Sequence, residues 1–157
     1  MYKTLCIAVL MVGLLALMGH SSSAAPAAFT SPQIVARGKL VNQKAAISPT
    51  TILTTVQTGV YRLSIYATLS GADANSTSQW SVFSQWTDDA GAEEAGISNQ
   101  YGNLAGQFNC YGFFNAAGGP TVTFEAKGGT PISYSVFQSG PPDNSAYSLY
   151  YVLERLE

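Results

Sequence analysis

From residue 34 onward, short apolar-rich runs recur, the clearest of them with apolar residues at every second position. No stretch of useful length keeps the 3.6-residue period of an amphipathic helix. The clearest run is "VYRLSIYATLS" over 60–70. Tyr61, Leu63, Ile65, Ala67 and Leu69 fall on one side of it, and Arg62, Ser64, Tyr66 and Thr68 on the other. Alternation of this kind marks a strand with one face on a core. Runs rich in Val, Ile, Thr, Tyr and Phe, divided by Gly, Pro, Asn and Asp, predict further strands at 34–41, 50–57, 78–87, 107–114, 121–126, 131–138 and 146–155. Residues 88–106, rich in Gly, read as a long connection, and "KGGT" at 127–130 as a hairpin turn. In "SQWSVFSQWT", Trp80, Val82 and Trp86 lie to one side and Phe83 to the other. Many short strands joined by turns predict an all-β fold, an antiparallel two-sheet sandwich. Residues 34–157 form one domain in this reading, after a flexible lead-in at 25–33.

The final strand poses a question. In "AYSLYYVLERLE", Tyr147, Leu149, Tyr151 and Leu153 make a clean apolar face. The other face holds Ser148, Tyr150, Val152 and Glu154, more apolar than a solvent-facing surface requires.

The first 24 residues read differently. Lys3 precedes an apolar run over 5–18, and small residues follow, with Ser22 and Ala24 ahead of a cut between Ala24 and Ala25. This is the layout of a secretory signal peptide, expected to be helical. The run is too short to span a bilayer, which takes ~20 residues. The expectation is export, to a periplasmic or extracellular location, with no membrane association after cleavage. Cleavage removes His20, the sole histidine, and Cys6, leaving Cys110 without an internal disulfide partner. A lone cysteine is more often a small buried hydrophobe than a reactive group. Six Lys/Arg then face nine Asp/Glu, and only 10% of the chain is charged, with no basic run. Nucleic acid is therefore not an expected partner. The surface must be built largely of Ser, Thr, Asn, Gln, Gly and Tyr, which suits protein or carbohydrate contacts.

Three segments carry a resemblance: "TGVYRLSIYATLS", "AKGGTPISYSVFQ" and "YSLYYVLERL". They resemble small, mostly uncharacterised bacterial and phage-associated secreted proteins that end in a Tyr/Leu-rich strand followed by Leu-Glu-Arg-Leu. The first segment, Gly-x-Tyr-x-aliphatic before a long alternating strand, also resembles the central strand of the complement- and tumour-necrosis-factor-like jelly rolls. The match covers 60–157 in pieces and departs over 88–119. It implies a jelly-roll sandwich and a homotrimer formed through an inner sheet, and it transfers no catalytic residue. That sheet would hold 60–70, 131–138 and 146–155. Their second faces collect Arg62, Ser64, Tyr66, Ser133, Ser135, Phe137, Ser148, Tyr150 and Val152. Aromatic area, small polar residues and few charges fit an interface core, which would answer the question of the final strand. The competing reading is a scatter of apolar residues on a wet sheet.

Catalytic chemistry finds little support. Without histidine after cleavage, Ser-His-Asp and Cys-His catalysis and imidazole-based metal sites are excluded. The glycine pairs lack the phosphate-loop spacing. Glu125 is a strand carboxylate with no identifiable partner for glycosidase chemistry. Asp88, Asp89, Glu93 and Glu94 are the one acidic concentration. They could offer oxygens to calcium, but their spacing is not that of a calcium-binding loop, and a solvated loop is the preferred reading. No other cofactor is expected. Trp80 and Trp86 could form a carbohydrate platform on an exposed face, with burial in the core as the preferred alternative. The expectation is a secreted, non-catalytic binding or assembly module. A carbohydrate-binding module is the alternative, and an enzyme of unassigned type ranks behind both.

Overall fold

A computed structural model describes residues 31–108 and 121–157. The region read as a signal peptide, Cys110 and most of the strand expected at 107–114 lie outside the described residues. Within them the chain is all-β, nine strands in two antiparallel sheets: β1 (Gln33–Gln43), β2 (Ile47–Thr54), β3 (Gly59–Gly71), β4 (Gln79–Thr87), β5 (Ala92–Tyr101), β6 (Gly106–Gln107), β7 (Thr121–Ala126), β8 (Pro131–Ser139) and β9 (Ala146–Arg155). The first sheet runs β1-β9-β3, with β6 and β7 pairing in turn along the free edge of β3. The second runs β2-β8-β4-β5.

Alternation explains how the sheets meet. Leu63 faces Leu153 in register, and Ala67 faces Leu149. The odd positions of β3 and β9 thus turn one way together. From the other sheet come Trp80, Val82, Ile132 and Val136, all at most 1% exposed. Each fully buried side chain of this size contributes roughly 1.5–3 kcal/mol. Three ring contacts tie the core together: Trp80 on Tyr147 at 4.8 Å, Trp86 on Phe124 at 4.5 Å, and Tyr134 against Tyr151 at 5.5 Å between centroids. Burial pushes the Tyr134 and Tyr147 hydroxyls above the ordinary phenol range, with neighbouring tyrosines adding to it. The Tyr147 hydroxyl donates to the Ala45 carbonyl at 3.0 Å.

Gly38 on β1 lies opposite Tyr151, and a Cβ built there would overlap that ring. The weak point of the first predicted strand is thus where an aromatic side chain packs across bare backbone. Gly38→Ala is expected to displace Tyr151 and cost about 1–3 kcal/mol. Chemical denaturation at neutral pH would measure it, and an unchanged midpoint would contradict the packing described.

Three sequence expectations change. The connection foreseen over 88–106 contains β5, which pairs along β4 from Gln79↔Tyr101 to Thr87↔Ala92. Its alternation is broken by Gly96 and by a register shift that leaves Ile97 in the core, so the pattern was hidden. The second strand ends at Thr54, because Thr55 turns its hydroxyl onto the Lys127 and Thr130 carbonyls. The "KGGT" turn is no hairpin: it carries the chain from β7 in one sheet to β8 in the other, with Gly129 at φ 81°. The hairpin is instead at Asp88–Gly91, where the Asp88 side chain accepts from the Ala90 and Gly91 amides at 2.7 and 3.1 Å.

Candidate functional site

The outward face of the first sheet is built by the even positions of β3 and β9. Register places Arg62 beside Glu154, Ser64 beside Val152, Tyr66 beside Tyr150 and Thr68 beside Ser148. β1 adds Arg37 next to Val152 and Lys39 next to Tyr150. At the centre, the Tyr66 and Tyr150 rings lie 5.9 Å apart and tilted at 45°. Lys39 sets its ammonium 5.3 Å from the Tyr150 ring centre, in cation–π range. Tyr66 is 47% and Tyr150 37% exposed, much for side chains of this size in the middle of a sheet. A shallow, mainly apolar depression of about 250 Å³ runs beside them, lined by Ser64, Tyr66, Gln107, Thr121, Tyr150 and Val152.

Arg62 donates to Glu154 at 2.8 Å, the one ion pair among the described residues. The hydrogen bond and charge of Arg62 lower the Glu154 carboxyl, and Glu154 in turn raises the guanidinium. Both side chains are solvated, so the pair orders this end of the face more than it stabilises the fold.

Six of the nine interface residues foreseen from the sequence share this face: Arg62, Ser64, Tyr66, Ser148, Tyr150 and Val152. Ser133, Ser135 and Phe137 do not. β8 belongs to the second sheet, between β2 and β4, so these three point outward on the opposite side of the sandwich. There Gln85 donates to Ser135 at 2.8 Å and to Glu94 at 2.9 Å, and Ser133 donates back to Gln85 at 3.4 Å. The reason is topological: β8 alternates as well as β9 does, and alternation alone cannot tell which sheet a strand joins. Sequence reading also left out Arg37, Lys39, Gln107 and Thr121. For Arg37 and Lys39 the signal was present in β1, where they flank Gly38, but the pairing partner was not.

The proposed carbohydrate platform does not form on an exposed face. Trp80 is 0% exposed, and Trp86 stacks on Phe124 at the end of the core, both on the inward side of β4. The four acidic residues occupy the β4–β5 hairpin. Asp88 caps its own turn, Glu94 binds Gln85, and Glu93 alternates to the other side of β5 from Glu94. Among the described residues, no group of three or more His, Cys, Asp or Glu side chains gathers in a metal-holding arrangement. Glu125 lies on β7 opposite Val60, exposed.

A second polar centre was missed altogether. Asp143, in the β8–β9 loop, accepts from the Ser76 and Ser78 hydroxyls with one oxygen. Its other oxygen accepts from the Ser145 hydroxyl and, at 2.8 Å, from the Ser145 amide. Trp80 donates its indole N–H to the Ser145 hydroxyl at 2.8 Å, and Gln138 donates to Ser78 at 3.3 Å. Burial opposes the charge, yet the hydrogen bonds from Ser145, Ser76 and Ser78 outweigh it and bring the carboxyl down to about 2. Gly102 fits against this group because a Cβ there would overlap the Ser76 hydroxyl and stand 3.0 Å from the carboxylate. The network fastens the β3–β4, β5–β6 and β8–β9 loops at one end of the sandwich and leaves no acceptor open for chemistry. A signal existed in the sequence. Ser76 and Ser78 are in phase with Trp80 and Val82, and inward-pointing hydroxyls need buried partners.

Compared with known protein families and with curated proteins, the chain matches neither.

Proposed function

We propose that this chain is an exported, non-catalytic assembly module of jelly-roll type, which associates with copies of itself through the outward face of the β1-β9-β3 sheet. The observation that carries the reading is the exposed Tyr66–Tyr150 pair at the centre of that face. Two large rings side by side in water, with Val152 beside them and an apolar depression at their flank, have the composition of an interface core. Tyrosine contributes much contact area at low side-chain entropy cost. The rim is polar: Arg37, the Arg62–Glu154 pair and Thr121. Strand order supports the jelly-roll reading. Apart from the β4–β5 hairpin and the β6–β7 edge, each connection crosses between sheets, as in interleaved Greek keys. The resemblance in 60–157 favours three copies.

Size-exclusion chromatography with light scattering on residues 25–157 tests this, with a trimer expected at micromolar concentration. Tyr150→Glu is expected to yield folded monomer, because it places a lone charge in a face that must be desolvated on assembly. The cost of assembly should exceed a hundredfold in dissociation constant, about 3 kcal/mol. A wild-type monomer under these conditions removes the proposal.

A further inference from the structure

A threefold ring imposes a requirement that one face cannot meet. Cyclic contacts of order three are heterologous: the surface that receives differs from the surface that is given. The Tyr66–Tyr150 face therefore needs a different patch on the next copy.

Charge shows where that patch is. The chain has few charges, and on the tyrosine face they are unevenly placed, with the exposed Glu125 at the far, β7 edge. Arg37 and Lys39 stand exposed on the β1 side of the tyrosine face, without an ion-pair partner among the described residues. Arg62 is neutralised by Glu154. Of the nine carboxylate side chains in the sequence, four lie in or beside a single turn: Asp88, Asp89, Glu93 and Glu94. Lys127 is tied to the strand leading into this turn, its amide bonding the Thr87 carbonyl at 2.8 Å. The hairpin is preformed, because Asp88 fixes its own turn through the Ala90 and Gly91 amides. Little ordering is then needed when it docks.

We infer that the β4–β5 hairpin of one copy docks on the tyrosine face of the next, its carboxylates meeting Arg37 and Lys39. This rests on the assembly reading above and names its second surface. Opposite charge across the contact sets orientation and association rate, and makes assembly salt-sensitive.

Charge exchange tests it, on residues 25–157. Asp89 and Glu93 are chosen because Asp88 is needed for the turn and Glu94 is bonded to Gln85. Arg37→Glu/Lys39→Glu is expected to disperse the assembly, since an acidic face then meets an acidic hairpin. Asp89→Lys/Glu93→Lys should do the same with the signs inverted. The variant carrying all four changes should reassemble to within about tenfold of wild-type affinity, with far-ultraviolet circular dichroism verifying the fold in each case. If the two double variants assemble like wild type, or the fourfold variant stays monomeric, the hairpin is not the second surface. Dispersal by Tyr150→Glu alone would then leave the assembly reading standing. A monomeric wild type would overturn both.

Discussion

Asp143→Ala is expected to lower the stability of the domain by about 3–4 kcal/mol at neutral pH. One carboxylate receives the Ser76, Ser78 and Ser145 hydroxyls together with the Ser145 amide. Hydrogen bonds to a charged group contribute about 1.5–3 kcal/mol each when broken singly. The total falls short of their sum because Ser76 and Ser78 can still bond one another across 3.0 Å. Asp143→Asn should recover only part of the loss, since an amide nitrogen would face donors where an oxygen now accepts. Urea unfolding gives the comparison, provided the slope with denaturant is unchanged. The pH dependence has a definite sign. The folded-state pKa is depressed to about 2 from an ordinary 3.8, so the charge stabilises the fold above roughly pH 4. That contribution disappears as pH falls towards 2. The gap between wild type and Asp143→Asn should narrow over the same interval, and a gap independent of pH would contradict the assignment.

Trp80→Ala is expected to cost about 3–5 kcal/mol, in the range of large aromatic truncations in cores. Trp80 is wholly buried, packs on Tyr147 at 4.8 Å, and gives its indole proton to Ser145 at 2.8 Å. Truncation opens a cavity between the sheets and removes the side chain that ties the Asp143 network to the core. Trp80→Phe separates the two effects. It keeps most of the packing and loses the hydrogen bond, so it should cost less than half as much as the alanine variant. Thermal and urea unfolding of both variants measure this. Equal losses for Phe and Ala would place the effect in the hydrogen bond and not in the volume.

These two residues mark where sequence reading succeeds and where it stops. The period of two gave the inward sides of β3, β4, β8 and β9, because a pleated strand sends alternate side chains to opposite faces. Trp80 is found in the core on that argument alone. Alternation also placed Arg62, Ser64, Tyr66, Ser148, Tyr150 and Val152 outward, and β3–β9 pairing then brings them side by side. It could not assign β8 to the second sheet, so Ser133, Ser135 and Phe137 were grouped with residues on the far side of the molecule. β5 escaped notice because Gly96, a bulge at Ile97 and a run of polar residues erase its rhythm. The Asp143 group is the hardest case. Two of its three hydroxyls come from residues 65 and 67 positions away, and a loop aspartate near prolines looks like a turn former.

Pairing in the β1-β9-β3 sheet joins residues far apart in the chain, such as Leu40 with Leu149 and Tyr66 with Tyr150. The polypeptide must close wide loops before most of its ladders return any free energy. Among the described strands the β4–β5 hairpin alone is exempt, since its strands are neighbours in the chain. It is the natural place for order to begin, with the rest of the domain condensing on a scale of milliseconds to seconds, the usual pace for sandwiches wired in this way. Throughout that interval Leu63, Ile65 and Leu149 remain uncovered, and crowding at high concentration would then favour tangled chains over ordered ones.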